Sequence, residues 1–325
     1  MLTPGVLFLM KVFIAGATGI LGRRVVSLLV RGQHQVVGLS RSDANDSALR
    51  DQGAEPRRGD LFNRDQMVDC SADCDAVVHL ATAIPTKSRA KTSDWALNDR
   101  IRREGTAALL TAALNNKAKL YIQQSVTFLY GDRNGEWVDE SVPIAATQLP
   151  IIRSAADMEA LVADAVLREH LPAIILRFGS FYSHDSRQTG MMFELARKRQ
   201  FPIMGDGSPY WNMLRADDAA AAVVQALETG QRNSGKVFNV CEREPVQYGE
   251  FVQLLASTAG AAPPRRLPSF AARWLLGRDT AQFLLASVRC KSTAAHEHLG
   301  WSPQYPSLRE GLRHEFERWT ALRNT

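Results

Sequence analysis

The sequence predicts an α/β fold, a doubly wound parallel sheet with a smaller, mainly helical C-terminal unit. Three observations predict it. Apolar runs alternate with helix-period patterns through the first half of the chain, as in strand–helix–strand units joined by right-handed crossovers. The first apolar run ends in glycines spaced Gly16-x-x-Gly19-x-x-Gly22, and a helix pattern follows at once. After Arg177 the alternation weakens, and proline and glycine punctuate Pro202–Pro209 and Pro263–Pro268.

In chain order, strands are expected at Lys11–Ala15, Gln35–Ser40, Ala76–Leu80, Leu120–Ser125, Ala173–Arg177 and Val237–Val240, with a short one near Glu55–Arg58. Helices are expected between them, at about Leu21–Arg31, Arg64–Asp69, Trp95–Asn116, Arg153–Glu169 and Asp217–Leu227. Further helical pieces follow at Glu250–Ser257, Ser269–Gly277, Thr293–Leu299 and Leu308–Leu322. The last opens with Ser307-Leu-Arg-Glu310, a capping-box pattern. The expected division is a nucleotide-binding domain over residues 10–180, to which 212–241 return, and a smaller substrate or lid domain from 181–211 and 242–325.

With 325 residues the chain can bury a full core. Its 45% hydrophobic and 22% charged residues are ordinary for a soluble globular protein. The net charge of +5 is modest and reads as a solvated surface. No basic run interleaved with aromatics points to nucleic acid. No segment reaches the roughly 18 apolar residues of a membrane span. Cys70, Cys74, Cys241 and Cys290 are scattered and lack metal or redox spacing, so they read as reduced thiols of a cytoplasmic protein, and no metal site is expected. Met1–Met10 lacks a basic start and a cleavage site, and reads as an extension or a misassigned start before Met10. The expected partner is a small-molecule substrate, with a homodimer as the candidate assembly.

The glycine spacing carries the functional reading. A sharp strand-to-helix turn needs unusual backbone angles at Gly16. At Gly19 the missing side chain lets a pyrophosphate approach, and at Gly22 it lets helix and strand pack closely. The first amides of the helix are unpaired and point at the phosphates. The strand before and the helix after supply the context that makes the motif dinucleotide-binding, with a Rossmann-like sheet. Cofactor choice is read at the end of the second strand. A site for NAD places a carboxylate about 20 residues beyond the glycines. Here Ser40 and Arg41 stand there, a hydroxyl and a guanidinium suited to a 2′-phosphate. The expected cofactor is NADP, with NAD as the alternative.

Taken together, ordered motifs from about residue 11 to 315 resemble the extended short-chain dehydrogenase/reductase family, the epimerase/dehydratase-like group. Gly16-Ala-Thr18-Gly19-Ile20-Leu21-Gly22 resembles its cofactor loop. Gly59-Asp60-Leu61 resembles its adenine segment, which implies that Asp60 accepts from the exocyclic amine. His79-Leu80-Ala81-Thr82 resembles the fourth strand, which lies along the cofactor. Gly105-Thr106, Ser125-Val-Thr127-Phe-Leu-Tyr130, Arg177-Phe178-Gly179-Ser-Phe-Tyr182, Asp217-Asp218-Ala219, Phe238-Asn239-Val240 and His298-Leu-Gly300-Trp301 continue the series. The resemblance implies that Phe178 and Gly179 lie beside the nicotinamide.

The departures concern the chemistry. Catalysis in the family rests on Tyr-x-x-x-Lys, the lysine lowering the tyrosine's pKa and binding the ribose. Counted back from Glu159, the tyrosine's place holds Ile151 and the lysine's place Ala155. None of the six tyrosines has a lysine four residues on. The partner Ser/Thr would be Val126, flanked by Ser125 and Thr127, and the Asn of Asn-x-x-Gly-Thr is Arg102. The chain therefore resembles an atypical branch. Its candidate catalytic residues are Ser125, Tyr182 and His184, set against a buried strand end for Ser125 and surface exposure for His184. Thr127, Trp211 and Asn212 are the candidate substrate contacts, set against ordinary loop roles. The expected function is an NADP-dependent oxidoreductase or epimerase-like enzyme for a small polar carbonyl or sugar-like substrate, with hydride transfer and a non-standard proton donor. A dinucleotide-binding sensor without turnover is the rival.

Overall fold

The computed structural model describes residues 9–85, 91–268, 270 and 277–324. Seven strands form the main sheet: β1 (Lys11–Ala15), β2 (Gln35–Ser40), β3 (Glu55–Arg58), β4 (Ala76–His79), β5 (Leu120–Val126), β6 (Ala173–Phe178) and β7 (Val237–Val240). Their spatial order is β7-β6-β5-β4-β1-β2-β3, and every neighbouring pair is parallel. The order reverses between β1 and β4, where such sheets bind ligands beyond the carboxyl ends of the strands.

The strands read as apolar runs because both faces of the sheet are covered. In β1, residues Val12, Phe13, Ile14 and Ala15 are all inaccessible to solvent. Alternation sends Val12 and Ile14 to one face and Phe13 and Ala15 to the other. Val12 and Ile14 join Val25, Val26 and Leu29 of α1 (Gly22–Arg31) and Val223 of α7 (Ala216–Thr229). Phe13 and Ala15 join Met67 of α3 (Arg64–Cys70), Leu109 of α4 and Val162 of α5 (Pro150–Glu169). Helix α4 comprises Ala96–Arg100, a π-turn at Ile101–Gly105, and Thr106–Asn115.

Among the described residues, three helices were not foreseen, at Asp43–Asp51, Arg187–Arg197 and Arg278–Leu285. α2 (Asp43–Asp51) buries just one large apolar residue, Leu49, so it shows little periodicity; Ser42 caps it by accepting from the Asn45 amide at 3.3 Å. α6 (Arg187–Arg197) is likewise capped, by Ser186 accepting from the Thr189 amide. α5 starts three residues before its expected first residue, with Pro150 in its first turn. The helix expected at Ser269–Gly277 falls largely outside the described residues, as does most of Met1–Met10.

Beyond the sheet, α6 and α8 (Tyr248–Thr258) pack with α9 (Leu308–Asn324) around Phe193, Phe251, Leu312 and Trp319. Four two-stranded pairings stitch this region. Ser180–Tyr182 runs parallel to Met213–Arg215, and Trp137–Val138 runs parallel to Arg289–Cys290. Among the described residues, no helix is long and apolar enough to cross a membrane.

Candidate cofactor site and the empty dyad position

The glycine turn fits a dinucleotide. Gly16 has φ +90°, and a β-carbon on it would lie 2.5 Å from the Ala81 amide nitrogen. A β-carbon on Gly22 would lie 2.0 Å from the Gly16 carbonyl oxygen. Those two glycines are forced by close packing of protein against protein. Gly19 differs: its β-carbon would meet just the Gly16 oxygen, at 3.3 Å, so this face of the turn is open. Among the described residues, the amides of Ile20 and Leu21 find no acceptor, while the Gly19 amide closes the turn onto Gly16 at 3.0 Å. An open face with free amides at a helix N-terminus is what a pyrophosphate needs. Thr18 is half-buried beside it.

At the end of β2, Ser40 is fully buried and its hydroxyl donates to the Ser42 carbonyl. Arg41 is exposed and has no acidic partner among the described residues. Asp43 pairs with Arg58 rather than Arg41, and Arg58 also grips Asp46 at 2.8 Å. Asp60 is exposed, accepts from the Phe62 amide at 3.1 Å and keeps a carboxylate oxygen for a ligand. Leu61 is buried against Gly105. Leu80 continues β4 by donating to Ala15, and Ala81 and Thr82 then turn outward past Gly16. Phe178 is buried, and Gly179 packs against the Asn212 carbonyl, 2.7 Å from its notional β-carbon.

On α5, the dyad position is apolar. Ile151 and Ala155 are buried, and no tyrosine or lysine stands with them. A cation reaches the neighbourhood from α4 instead. Arg102, in the π-turn, is 6% exposed and points at Ser154, whose hydroxyl it meets at 3.4 Å. It has no carboxylate partner among the described residues, and burial lowers its pKa to about 10. His79, at the end of β4, is 1% exposed. Burial pushes its pKa down to about 4, against a weak opposing pull from the Ile101 backbone, so the ring is neutral. Neither of its ring nitrogens makes a well-formed hydrogen bond among the described residues. Asn98 accepts from the Ala83 amide at 3.0 Å and leaves its Nδ2 unpartnered.

Ser125 ends in a different cluster. Its hydroxyl donates to Glu159 Oε1 at 2.5 Å, and Arg177 donates to both oxygens of the same carboxylate. Arg177 also donates to the Tyr130 hydroxyl, which donates to Asn239, each at 2.9 Å. Burial raises the Tyr130 pKa to about 12, so this phenol stays neutral and packs in the core. Thr127 is buried and donates to the Phe178 carbonyl.

A family model, the NAD dependent epimerase/dehydratase family, matches residues 12–241. The chain belongs to that family. Among its relatives, the 3-diazoavenalumate denitrifying reductase of a Streptomyces species is 30% identical over 94% of this chain and 100% of its own length. The 2-alkyl-3-oxoalkanoate reductase of Stenotrophomonas maltophilia is 27% identical over 94% of this chain and 98% of its own. In structure, the UDP-glucose 4-epimerase of Thermotoga maritima superposes with a TM-score of 0.78 at 20% identity, covering 96% of this chain and 99% of that one, which shows the shared fold.

In this epimerase/dehydratase chain the remaining candidates lie apart from Ser125. Tyr182 donates to Glu242 at 2.5 Å, both buried, and burial with the neighbouring carboxylate raises its pKa far beyond the ordinary range. His184 Nδ1 lies 2.7 Å from Glu315, which is fully buried. Asp185 ties this segment to the first turn of α1 through Arg23 and Arg24 at 2.6 and 2.8 Å. Its pKa falls to about 2, burial being overcome by those arginines and Ser183. No hydrogen bond among the described residues joins Ser125, Tyr182 and His184. Trp211 donates to the Leu284 carbonyl and stacks near Tyr248 and Phe251. Asn212 spends its amide on Val288 and Cys290. The partners Glu159, Glu242 and Glu315 escaped sequence reading, since each meets its serine, tyrosine or histidine only through long-range folding.

Proposed function

We propose that this chain is an NADP-dependent reductase that directs hydride from the nicotinamide to a small polar, electron-poor acceptor, without a tyrosine as proton donor. The observation that carries the reading is the pairing of an open glycine cradle with an apolar dyad position at Ile151 and Ala155. Binding and orientation fall to the protein, and the bound cofactor supplies the hydride. Arg41 is assigned to the 2′-phosphate because it is exposed and has no acidic partner among the described residues, whereas the expected Ser40 is buried with its hydroxyl already donating to Ser42. A general acid typically contributes about 10²–10⁴-fold, so its loss lowers a rate without ending it.

Water is assigned as the proton source where the product needs one. Ser125, Tyr182 and His184 are each held by a buried glutamate. The acceptor class is a carbonyl or a diazo group, as in the two reductase relatives. Hydride addition to a diazonium carbon with loss of N₂ consumes no proton, which suits a site built without a donor; a neutral diazo carbon takes one proton besides, from water.

The test is NADPH oxidation followed at 340 nm against small ketones, aldehydes and an arenediazonium salt. Turnover with one class, retained in Tyr182→Phe, is the expected result. Saturable NADPH binding with no oxidation by any acceptor would favour a sensor and contradict the reductase.

A further inference from the structure

A buried guanidinium without a carboxylate is costly, because transfer of a charge out of water is repaid only by a partner. Arg102 is in that condition. It is 6% exposed, its one side-chain hydrogen bond among the described residues is the long 3.4 Å contact to Ser154, and Asp99 acts on it only at a distance. Its surroundings hold further unspent groups. Among the described residues, Asn98 is fully buried with an unpartnered Nδ2, and neither ring nitrogen of the buried His79 makes a well-formed hydrogen bond. A cluster of unspent donors at the carboxyl end of β4 calls for a ligand rich in oxygen acceptors.

The placement narrows the ligand. Ser154 immediately precedes Ala155, the residue in the lysine's place. Ala155 is a methyl where a long side chain would stand, and the guanidinium reaches α5 from α4 at the residue before it. The π-turn at Ile101–Gly105 is the local irregularity that carries Arg102, and such turns recur at functional sites. A planar fork of N–H groups matches two adjacent oxygens better than an ammonium does.

We propose that Arg102 supplies from α4 the cation that the family carries as a lysine on α5, and that it holds the hydroxyls of the ribose on the nicotinamide side of the cofactor. The proposal rests on the reading of the chain as a dinucleotide-binding reductase. It makes Arg102 a cofactor-binding residue.

Calorimetric titration separates the two halves of the cofactor. The wild type, Arg102→Met and Arg102→Lys are each titrated with NADPH and with adenosine 2′,5′-bisphosphate, which lacks the nicotinamide ribose. A hydrogen bond to a charged group is worth about 1.5–3 kcal/mol, so Arg102→Met is expected to weaken NADPH by about tenfold or more. The same variant should bind the adenosine bisphosphate as the wild type does, which also shows that it is folded. Arg102→Lys should recover most of the lost affinity. Undiminished NADPH affinity in Arg102→Met, equal loss for both ligands, or a lysine variant no better than methionine would overturn the proposal. A wild type that binds neither ligand would instead overturn the reductase reading and this proposal with it.

Discussion

Arg177 holds Glu159 through two edge nitrogens, Nη2 to Oε2 at 2.6 Å and Nε to Oε1 at 2.9 Å, in the buried seam between β6 and α5. Removing one partner of such a pair leaves a buried charge uncompensated, which costs about 3–5 kcal/mol. Glu159→Ala is expected to lose that much in chemical denaturation. Ser125→Ala leaves the ion pair in place, so it should cost less, about 1.5–3 kcal/mol for one charge-assisted bond. A Ser125→Ala protein that denatures like the wild type would show that this hydroxyl adds nothing to the seam.

Gly19→Val is expected to fold and to lose dinucleotide binding. The backbone at Gly19 does not need a positive φ, and the notional β-carbon meets only one atom, at 3.3 Å. Gly22→Val, by contrast, should fail to fold, because its β-carbon would lie 2.0 Å from the Gly16 oxygen. Thermal melts and NADPH titration of both variants check the contrast. NADPH binding retained by Gly19→Val would move the pyrophosphate away from this turn.

Glu242 makes stability depend on pH. Burial, eased by the Tyr182 hydrogen bond, raises its pKa to about 8. An ordinary glutamate in the unfolded chain titrates near about 4.3. The native state therefore holds the proton more tightly, and stability present below about pH 4.3 is lost as pH rises through about 8. Glu242→Gln should flatten that part of the stability profile. The same slope in wild type and variant would assign it to another group.

Arg41→Ala is expected to weaken NADPH binding by about tenfold or more, the value of one charge-assisted bond, and to leave NADH binding little changed. The arginine is exposed with no acidic partner among the described residues, so its removal should not disturb the fold. Equal weakening of both cofactors would remove Arg41 from the 2′-phosphate.

The strands of the main sheet were legible because parallel strands covered on both faces are near-continuous apolar runs, as in Ala173–Phe178. The glycine turn was legible because Gly16 and Gly22 answer local steric demands and Gly19 leaves the face between them open. Helix α2 was not, since its amphipathic signal reduces to Leu49 and a capping serine. The partners of the candidate catalytic residues were hidden for another reason. Tyr182 and Glu242 are 60 residues apart, and His184 and Glu315 are 131 apart. Arg102 was visible as a departure from the family's asparagine, but its burial beside Ser154 depends on how α4 and α5 pack.

Titration of the wild-type chain with NADPH and NADH by calorimetry is the most direct test of an NADP site built on the Gly16–Gly22 turn. Saturable binding, tighter for NADPH by about tenfold or more, is the expected result. No saturable binding of either cofactor, or tighter binding of NADH, would contradict it.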